Sequence, residues 1–240
     1  MTPWPAREPA STSRSSTAAP STSAGSASTP SGRPCRTNPV PMLSPYEAVL
    51  GGDLTGLHPQ LRAYFTAIPA GRHGLGRGTF DRVGTPRRWL WPVLALLARD
   101  AVLFPVWEHD VPFLVVNRPG PDGVHAVRRF EFPAGSRDMV DVIGADAGGL
   151  ADRLGRSGRL ETRLAARVVD GALHLDSAGV YLHLAGSRVP VPRRCAPRVH
   201  LTERFDDGDQ RQHVQVIVSL PFVGRVYEYS GSFRYSIEVA

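Results

Sequence analysis

The chain has 240 residues, of which 42% are hydrophobic and 21% are charged, with 24 Gly, 22 Pro and 2 Cys. This composition is typical of a globular protein and excludes a collagen, a disulfide-stapled miniprotein and a wholly disordered chain. The formal charge is +6 and every basic residue is Arg, but acids and bases are interspersed and no nucleic-acid-binding motif occurs. We therefore predict no nucleic-acid partner.

Residues 1–42 are predicted to form a disordered tail. Among residues 1–41, 31 are Ser, Thr, Pro, Ala or Gly, and such a segment cannot bury enough apolar surface to offset the entropy lost on ordering. Residues 43–240 are predicted to form a single β-rich domain with N-terminal helices.

Three short helices are predicted. Ser44, Pro45 and Glu47 have the pattern of an N-cap, a first-turn proline and a capping-box glutamate. Apolar residues recur every three or four positions in residues 57–68, which indicates a second helix. Residues 85–97 begin with Thr-Pro, continue as an apolar run and predict a third.

From about residue 101 the hydrophobic period changes to two, which is the pattern of half-buried strands. The clearest alternation predicts strands at residues 111–117, 124–132, 137–143, 160–168, 172–184, 214–218, 224–229 and 232–239. Turn sequences such as Asp170-Gly171 and Ser230-Gly231 separate them, and short connections favour antiparallel pairing. We predict an α+β fold, in which N-terminal helices precede a curled antiparallel β-sheet or barrel of eight to ten strands.

Four sequence phrases carry a family resemblance. They are Gly-Thr-Pro-Arg-Arg-Trp-Leu-Trp-Pro at 84–92, Asp-Val-Pro-Phe at 110–113, Val-Pro-Val-Pro-Arg at 189–193 and Gly-Arg-Val-Tyr at 224–227. Over about residues 44–240 the chain resembles DUF4166, an uncharacterised bacterial domain family. The resemblance implies a β-rich domain found alone or attached to nucleotide-binding oxidoreductase or membrane domains, so a partner domain or protein is one expectation. It implies no activity, and we predict no cofactor.

Two glutamates fall on apolar faces of predicted strands. Glu203 alternates in register with apolar residues, and Glu228 faces Phe233 if Ser230-Gly231 forms a hairpin turn. Burying an ionised carboxylate costs several kcal/mol without a partner. One interpretation places both in a pocket, where burial raises the carboxyl pKa and suits general acid–base chemistry. The alternative is a structural ion pair with a nearby arginine: Arg128, Arg204 or Arg225.

Aromatic side chains supply a candidate cavity wall. Antiparallel barrels commonly hold one small ligand when side chains do not fill the interior, although aromatic residues in strands mostly pack into cores. The predicted ligand-binding residues are Glu203, Glu228, Tyr227, Tyr229, Arg225 and Trp107.

Residues 86–107 are strongly apolar, with Arg87-Arg88 near their start. One interpretation of this pattern is peripheral contact with an anionic membrane through an interfacial helix. The alternative is a core helix followed by a buried strand, because charges divide the run.

Metal ligands are not predicted. Cys35 and Cys195 form no zinc spacing, the histidines form no ligand motif, and Asp206, Asp207 and Asp209 match hairpin-turn chemistry. The cysteine usage indicates a reducing, cytoplasmic location.

Three functional hypotheses remain open at this point. The first is a module that binds a small apolar or amphipathic ligand. The second is an enzyme that uses Glu203 and Glu228 for acid–base chemistry on a lipid-like substrate, and the third is an interaction domain whose core is filled. The binding module and the enzyme both require an open barrel interior, whereas the interaction domain does not. The enzyme also requires Glu203 and Glu228 to approach each other.

Overall fold

The computed structural model describes residues 43–240, and the predicted tail at residues 1–42 lies outside the described residues. The helices are α1 (Pro45–Leu50), α2 (Pro59–Phe65) and α3 (Trp91–Arg99), with short 3₁₀ helices at Gly51–Gly56 and Arg88–Leu90. The strands are β1 (Arg72–Gly84), β2 (Trp107–Gly120), β3 (Gly123–Phe132), β4 (Gly135–Asp146), β5 (Gly149–Leu154), β6 (Leu160–Val169), β7 (Ala172–Leu184), β8 (Ser187–Pro190), β9 (Arg198–Asp206), β10 (Arg211–Leu220) and β11 (Gly224–Val239).

Within residues 43–240, ten antiparallel strands close into a barrel. Their order is β6-β5-β4-β3-β2-β1-β11-β10-β9-β7, and pairing of β6 with β7 completes the ring. Strand β8 extends the sheet from β7 as a hairpin beyond the ring. The predicted antiparallel barrel is confirmed. The α+β class is too broad, because the fold is mainly β and the α-helices have six, seven and nine residues.

Strand β1 lies between α2 and α3, where the sequence analysis predicts no strand. Its inward positions include Gly74, Gly76 and Gly78, which have no side chain to reveal an alternating pattern. A Cβ on Gly74 would lie 1.7 Å from the hydroxyl of Tyr235, and one on Gly78 would lie 2.0 Å from the Ser232 carbonyl oxygen. Gly74 therefore leaves space for an aromatic ring of β11, and Gly78 allows the β11 backbone to approach closely.

The predicted hairpin turn at Ser230-Gly231 is wrong, because both residues continue β11. Gly231 lies directly opposite Phe80 of β1, and a Cβ there would be 2.4 Å from the Phe80 Cα. The glycine allows this close approach between two strands. Because β11 is unbroken, Glu228 and Phe233 point to opposite faces of the barrel wall and do not face each other as the hairpin would require.

Helices α1 and α2 cover one end of the barrel, here called the α2 end. Ser44 caps α1 in the predicted capping box with Glu47, and its hydroxyl also donates a hydrogen bond to the Phe65 carbonyl at the end of α2. Leu61 and Phe65 are buried in a cluster with inward residues of β4 to β7. The opposite end is here called the α3 end, since α3 covers it.

At the α3 end, Leu90 and Leu94 pack against Val226 and Tyr227. Phe104, in the segment after α3, enters the aromatic core and is only 1% exposed. Within the described residues, no helix has both the length and the apolar character needed to cross a bilayer.

We predict that Gly76→Ala destabilises the barrel by about 1–3 kcal/mol, because the new Cβ would overpack a filled core. It would lie 2.5 Å from a Val115 methyl carbon and 2.9 Å from the Phe233 ring. Urea unfolding measures the free energy of unfolding. Gly52→Ala is the control, because nothing lies within 4 Å of a Cβ there, and it should leave stability equal or slightly higher. Equal stabilities of the wild type and Gly76→Ala would contradict the prediction.

Candidate functional site

A charged pair lies inside the barrel. Arg128 shares the inward face of β3 with Ala126 and Phe130, and its guanidinium donates a hydrogen bond to Asp141 on β4. The Asp141 side chain is 1% exposed, whereas Arg128 keeps 19% of its side-chain surface accessible. The strand neighbours Ala126 and Phe130 are buried, so Arg128 is the more accessible of these three inward residues.

Two further carboxyl groups enter the interior near Arg128. Glu203 points inward from β9 and accepts a hydrogen bond from the Gln212 side chain of β10. Burial raises the pKa of Glu203 to about 7, although the Gln212 hydrogen bond and the charge of Arg128 oppose the shift. Burial also raises the pKa of Asp152 on β5, again against the charge of Arg128. Both carboxyl groups therefore bind protons more tightly than exposed ones.

Tyrosines surround these groups. Tyr229 points inward from β11, and burial raises its pKa to about 12, so its phenol remains neutral and can donate a hydrogen bond. Tyr64 of α2 and Tyr46 of α1 are buried near enough to Glu203 and Arg128 for those two charges to affect the pKa of each phenol, although burial is the main cause of the raised values. We use the name interior polar cluster for Arg128, Asp141, Asp152, Glu203, Tyr46, Tyr64 and Tyr229.

The interior is polar in one part and aromatic in another. Phe80 packs against Phe113 with ring centroids 4.3 Å apart, and Phe130 contacts both Phe113 and Tyr229. Tyr229 thus belongs to the interior polar cluster and also borders the aromatic core. Such an arrangement can hold the polar group of a small molecule beside an apolar surface.

The structure brings together only part of the predicted site. Glu203 and Tyr229 lie in the interior. Tyr227 is buried, with 1% of its surface exposed, in the cluster beneath α3. The other three predicted residues lie on the outer face of the barrel near the α3 end: Trp107, Arg225 and Glu228.

Glu228 forms the structural ion pair that the sequence analysis offers as an alternative. Its carboxylate lies 2.9 Å from the Arg82 guanidinium and also binds Arg225. Arg82 lies over the Trp107 ring, 5.6 Å from its centroid. These contacts fully account for a charged side chain at Glu228, and the carboxyl groups of Glu203 and Glu228 do not share a space.

From the sequence alone, Arg128 is evident only as a possible ion-pair partner of a glutamate, and Asp141 and Asp152 are missed. The signal was present, since Asp141 lies between Met139 and Ile143 on an alternating apolar face of β4. A charged residue at an inward apolar position is the same signal that identifies Glu203.

The exposed turn between β9 and β10 brings Asp206, Asp209 and His213 together, with potential ligand atoms within 4.8 Å of one another. Asp206 accepts a hydrogen bond from the Gly208 amide, and Asp209 accepts one from the Arg211 amide. These are the turn contacts that the sequence predicts.

We predict that Glu203 makes the free energy of unfolding fall as the pH rises from about 4.5 to about 7. The folded state keeps this proton up to the raised pKa, whereas the unfolded chain loses it near the ordinary value of 4.5. More protons are therefore bound in the folded state within that window, and the slope reaches at most about 1.4 kcal/mol per pH unit. Above the window this group contributes no further pH dependence.

Urea unfolding of the wild type and of Glu203→Gln across this range tests the effect. The variant should lose the Glu203 contribution, while any contribution from Asp152 remains in both proteins. Glu238→Gln, at an exposed position of β11, should keep the wild-type slope. An equal slope in the wild type and Glu203→Gln would contradict the assignment.

Comparison with known proteins agrees with the resemblance seen in the sequence. Residues 57–233 match the family described as Domain of unknown function (DUF4166). The chain is also 24% identical over 187 residues to the uncharacterized protein YndH of Bacillus subtilis (strain 168), which covers 74% of this chain and 90% of YndH. No solved structure matches the chain significantly. Because the family match extends over most of the barrel, the chain belongs to the DUF4166 family.

Proposed function

We propose that this protein binds a small amphipathic molecule inside the barrel. The observation that carries the proposal is the interior polar cluster, in which Arg128, Asp152, Tyr64 and Tyr229 are half-buried and keep accessible surface. A barrel stabilised by its core alone has no need of these groups, because buried charges stabilise a fold less than apolar side chains of similar size.

Unpartnered oxygen atoms indicate the chemistry of the ligand. Within the described part of the chain, the buried oxygen atoms without a hydrogen-bond partner include Asn117 Oδ1, Asp141 Oδ2, Asp152 Oδ1 and the Tyr235 hydroxyl. The first three lie on the inward faces of β2, β4 and β5 and are acceptors, whereas the Tyr235 hydroxyl can also donate. A buried acceptor without a donor costs about 1–3 kcal/mol. The ligand that suits them carries hydrogen-bond donors, such as hydroxyl or amine groups.

The dimensions of the barrel agree with a small ligand. Eight strands enclose an interior that side chains just fill or that holds one small molecule, and the diameter grows with strand number. In this ten-stranded barrel, the aromatic core fills the α3 end and α1 and α2 cover the α2 end. We place the ligand between them, with its apolar part against Tyr229.

Acid–base catalysis is a second candidate, favoured by the pKa of about 7 at Glu203, which suits proton transfer near neutral pH. Catalysis by Glu203 together with Glu228 loses support, because Glu228 is held on the outer face by Arg82 and Arg225.

The interaction-domain hypothesis requires a barrel interior that binds no ligand. A cytoplasmic location stays part of the proposal and agrees with the free thiol of Cys195.

Native mass spectrometry of the full-length protein, followed by solvent extraction, tests the binding function. We expect a stoichiometric adduct whose occupancy falls about tenfold or more in Asp152→Asn, because the variant weakens a charged contact to the ligand. Glu238→Gln, on the outer face, should keep wild-type occupancy. If no adduct forms, titration with dodecylamine and with dodecanol provides the second measurement. Absence of saturable binding in both titrations would reject the proposal and favour the interaction domain.

A further inference from the structure

The outer side of α3 and its preceding turn is apolar. Trp89, Val93 and Leu96 are spaced so that they share one side of the helix, and each has more than half of its surface exposed. Leu90 and Leu94 on the opposite side already bury against the barrel. Contact with the barrel explains why the inner side of α3 is apolar, but it does not explain the apolar outer side.

Phe222 extends this apolar surface. It lies in the turn between β10 and β11 and is 97% exposed. The turn is held beside the start of the helix, because the Arg87 guanidinium donates hydrogen bonds to the carbonyls of Arg225 and Val223, at 3.0 and 3.4 Å. The β7–β8 hairpin at the same end exposes Leu184 and Val189. Large exposed apolar side chains are thus concentrated at the α3 end.

Charge is also divided between the two ends of the barrel. The segments that connect strands at the α3 end contain seven arginines and one acidic residue: Arg87, Arg88, Arg99, Arg156, Arg159, Arg193, Arg194 and Asp100. The segments at the α2 end contain one arginine and six acidic residues: Arg62, Glu47, Asp53, Asp122, Asp170, Asp207 and Asp209. The net charge of the whole chain does not reveal this division, because the positive charge at the α3 end and the negative charge at the α2 end largely cancel.

We propose that the α3 end docks on an anionic lipid surface. Trp89, Val93, Leu96 and Phe222 enter the headgroup region, and the surrounding arginines contact lipid phosphates. An interfacial site of this kind gains from apolar burial and from electrostatic attraction together. Trp is also well suited to the boundary between headgroups and acyl chains.

Other occupants fit this surface less well. A second copy of the chain would place two strongly basic ends against each other, which costs electrostatic energy. A nucleic acid would match the arginines but would leave the exposed aliphatic side chains Val93 and Leu96 without a partner. Within residues 86–107, this proposal limits the membrane contact to the outer side of α3 and the turn before it, because Val102 and Phe104 are buried in the core.

Flotation of the full-length protein with two kinds of vesicle tests the proposal: phosphatidylcholine mixed with phosphatidylserine, and phosphatidylcholine alone. The wild type should float with the mixed vesicles and much less with the neutral ones, and added salt should weaken binding. Trp89→Ser combined with Phe222→Ser should lower the bound fraction about tenfold, because it removes the largest inserted side chains. Arg193→Glu combined with Arg194→Glu should abolish the preference for phosphatidylserine.

Matched variants at the α2 end serve as controls. Val169→Ser combined with Val239→Ser removes exposed apolar side chains there, and Arg72→Glu combined with Arg118→Glu reverses exposed charges. Both should float as the wild type does. Thermal unfolding checks that every variant is folded.

Several outcomes would overturn the proposal. If the wild type remains at the bottom of the gradient with both kinds of vesicle, peripheral membrane binding is rejected. Equal flotation of Trp89→Ser/Phe222→Ser and the wild type would place membrane binding elsewhere in the chain, including residues 1–42. A dimer in size-exclusion chromatography that this variant converts to a monomer, without flotation, would assign the surface to a second copy. A shift of duplex DNA that depends on Arg193 and Arg194, without flotation, would assign it to a nucleic acid.

Discussion

Pairing of β6 with β7 closes the ring of strands, and the environment of every inward side chain depends on this closure. An open sheet of the same strands would leave one face to water, and the inward carboxyl groups would be solvated. In the closed barrel the residues that alternate inward are enclosed on all sides. Leu164 and Leu175 become core, and the Glu203 carboxyl acquires its raised pKa from the same enclosure.

The charged groups inside the barrel must be compensated by opposite charges, by hydrogen bonds or by protonation, whereas the apolar core needs no such compensation. Arg128 is partly neutralised by Asp141, and burial raises the pKa of Asp152 and of Glu203, so these two carboxyl groups ionise less readily than exposed ones. Such a cluster costs several kcal/mol in desolvation. A binding role explains why the interior keeps it, because a polar ligand would satisfy acceptors that the strands leave unpartnered.

The two ends of the barrel have different compositions, and this difference relates the two proposals. The α2 end is acidic and is covered by α1 and α2, whereas the α3 end is basic and carries exposed apolar side chains. A barrel that rests on a lipid surface through its α3 end would meet amphipathic molecules where they are concentrated. The two proposals rest on separate residues, so either can fail without the other.

The sequence by itself determined the local features. Ser44 and Glu47 identified the first helix, alternation identified most strands, and Glu203 was recognised because a charged residue lay on an apolar face. The tertiary structure decided which strands pair and which way each side chain faces. Gly74, Gly76 and Gly78 give no alternating pattern in the sequence, and only the structure shows that β11 packs against them. Gly231 looks like a turn residue in the sequence, whereas in the structure it lies against Phe80 of β1. The register of paired strands arises from contacts between residues far apart in sequence. A single wrongly assigned turn therefore reverses which face of the sheet each following side chain occupies. For this reason Glu228 could be placed on the outer face only once β11 was seen to be continuous.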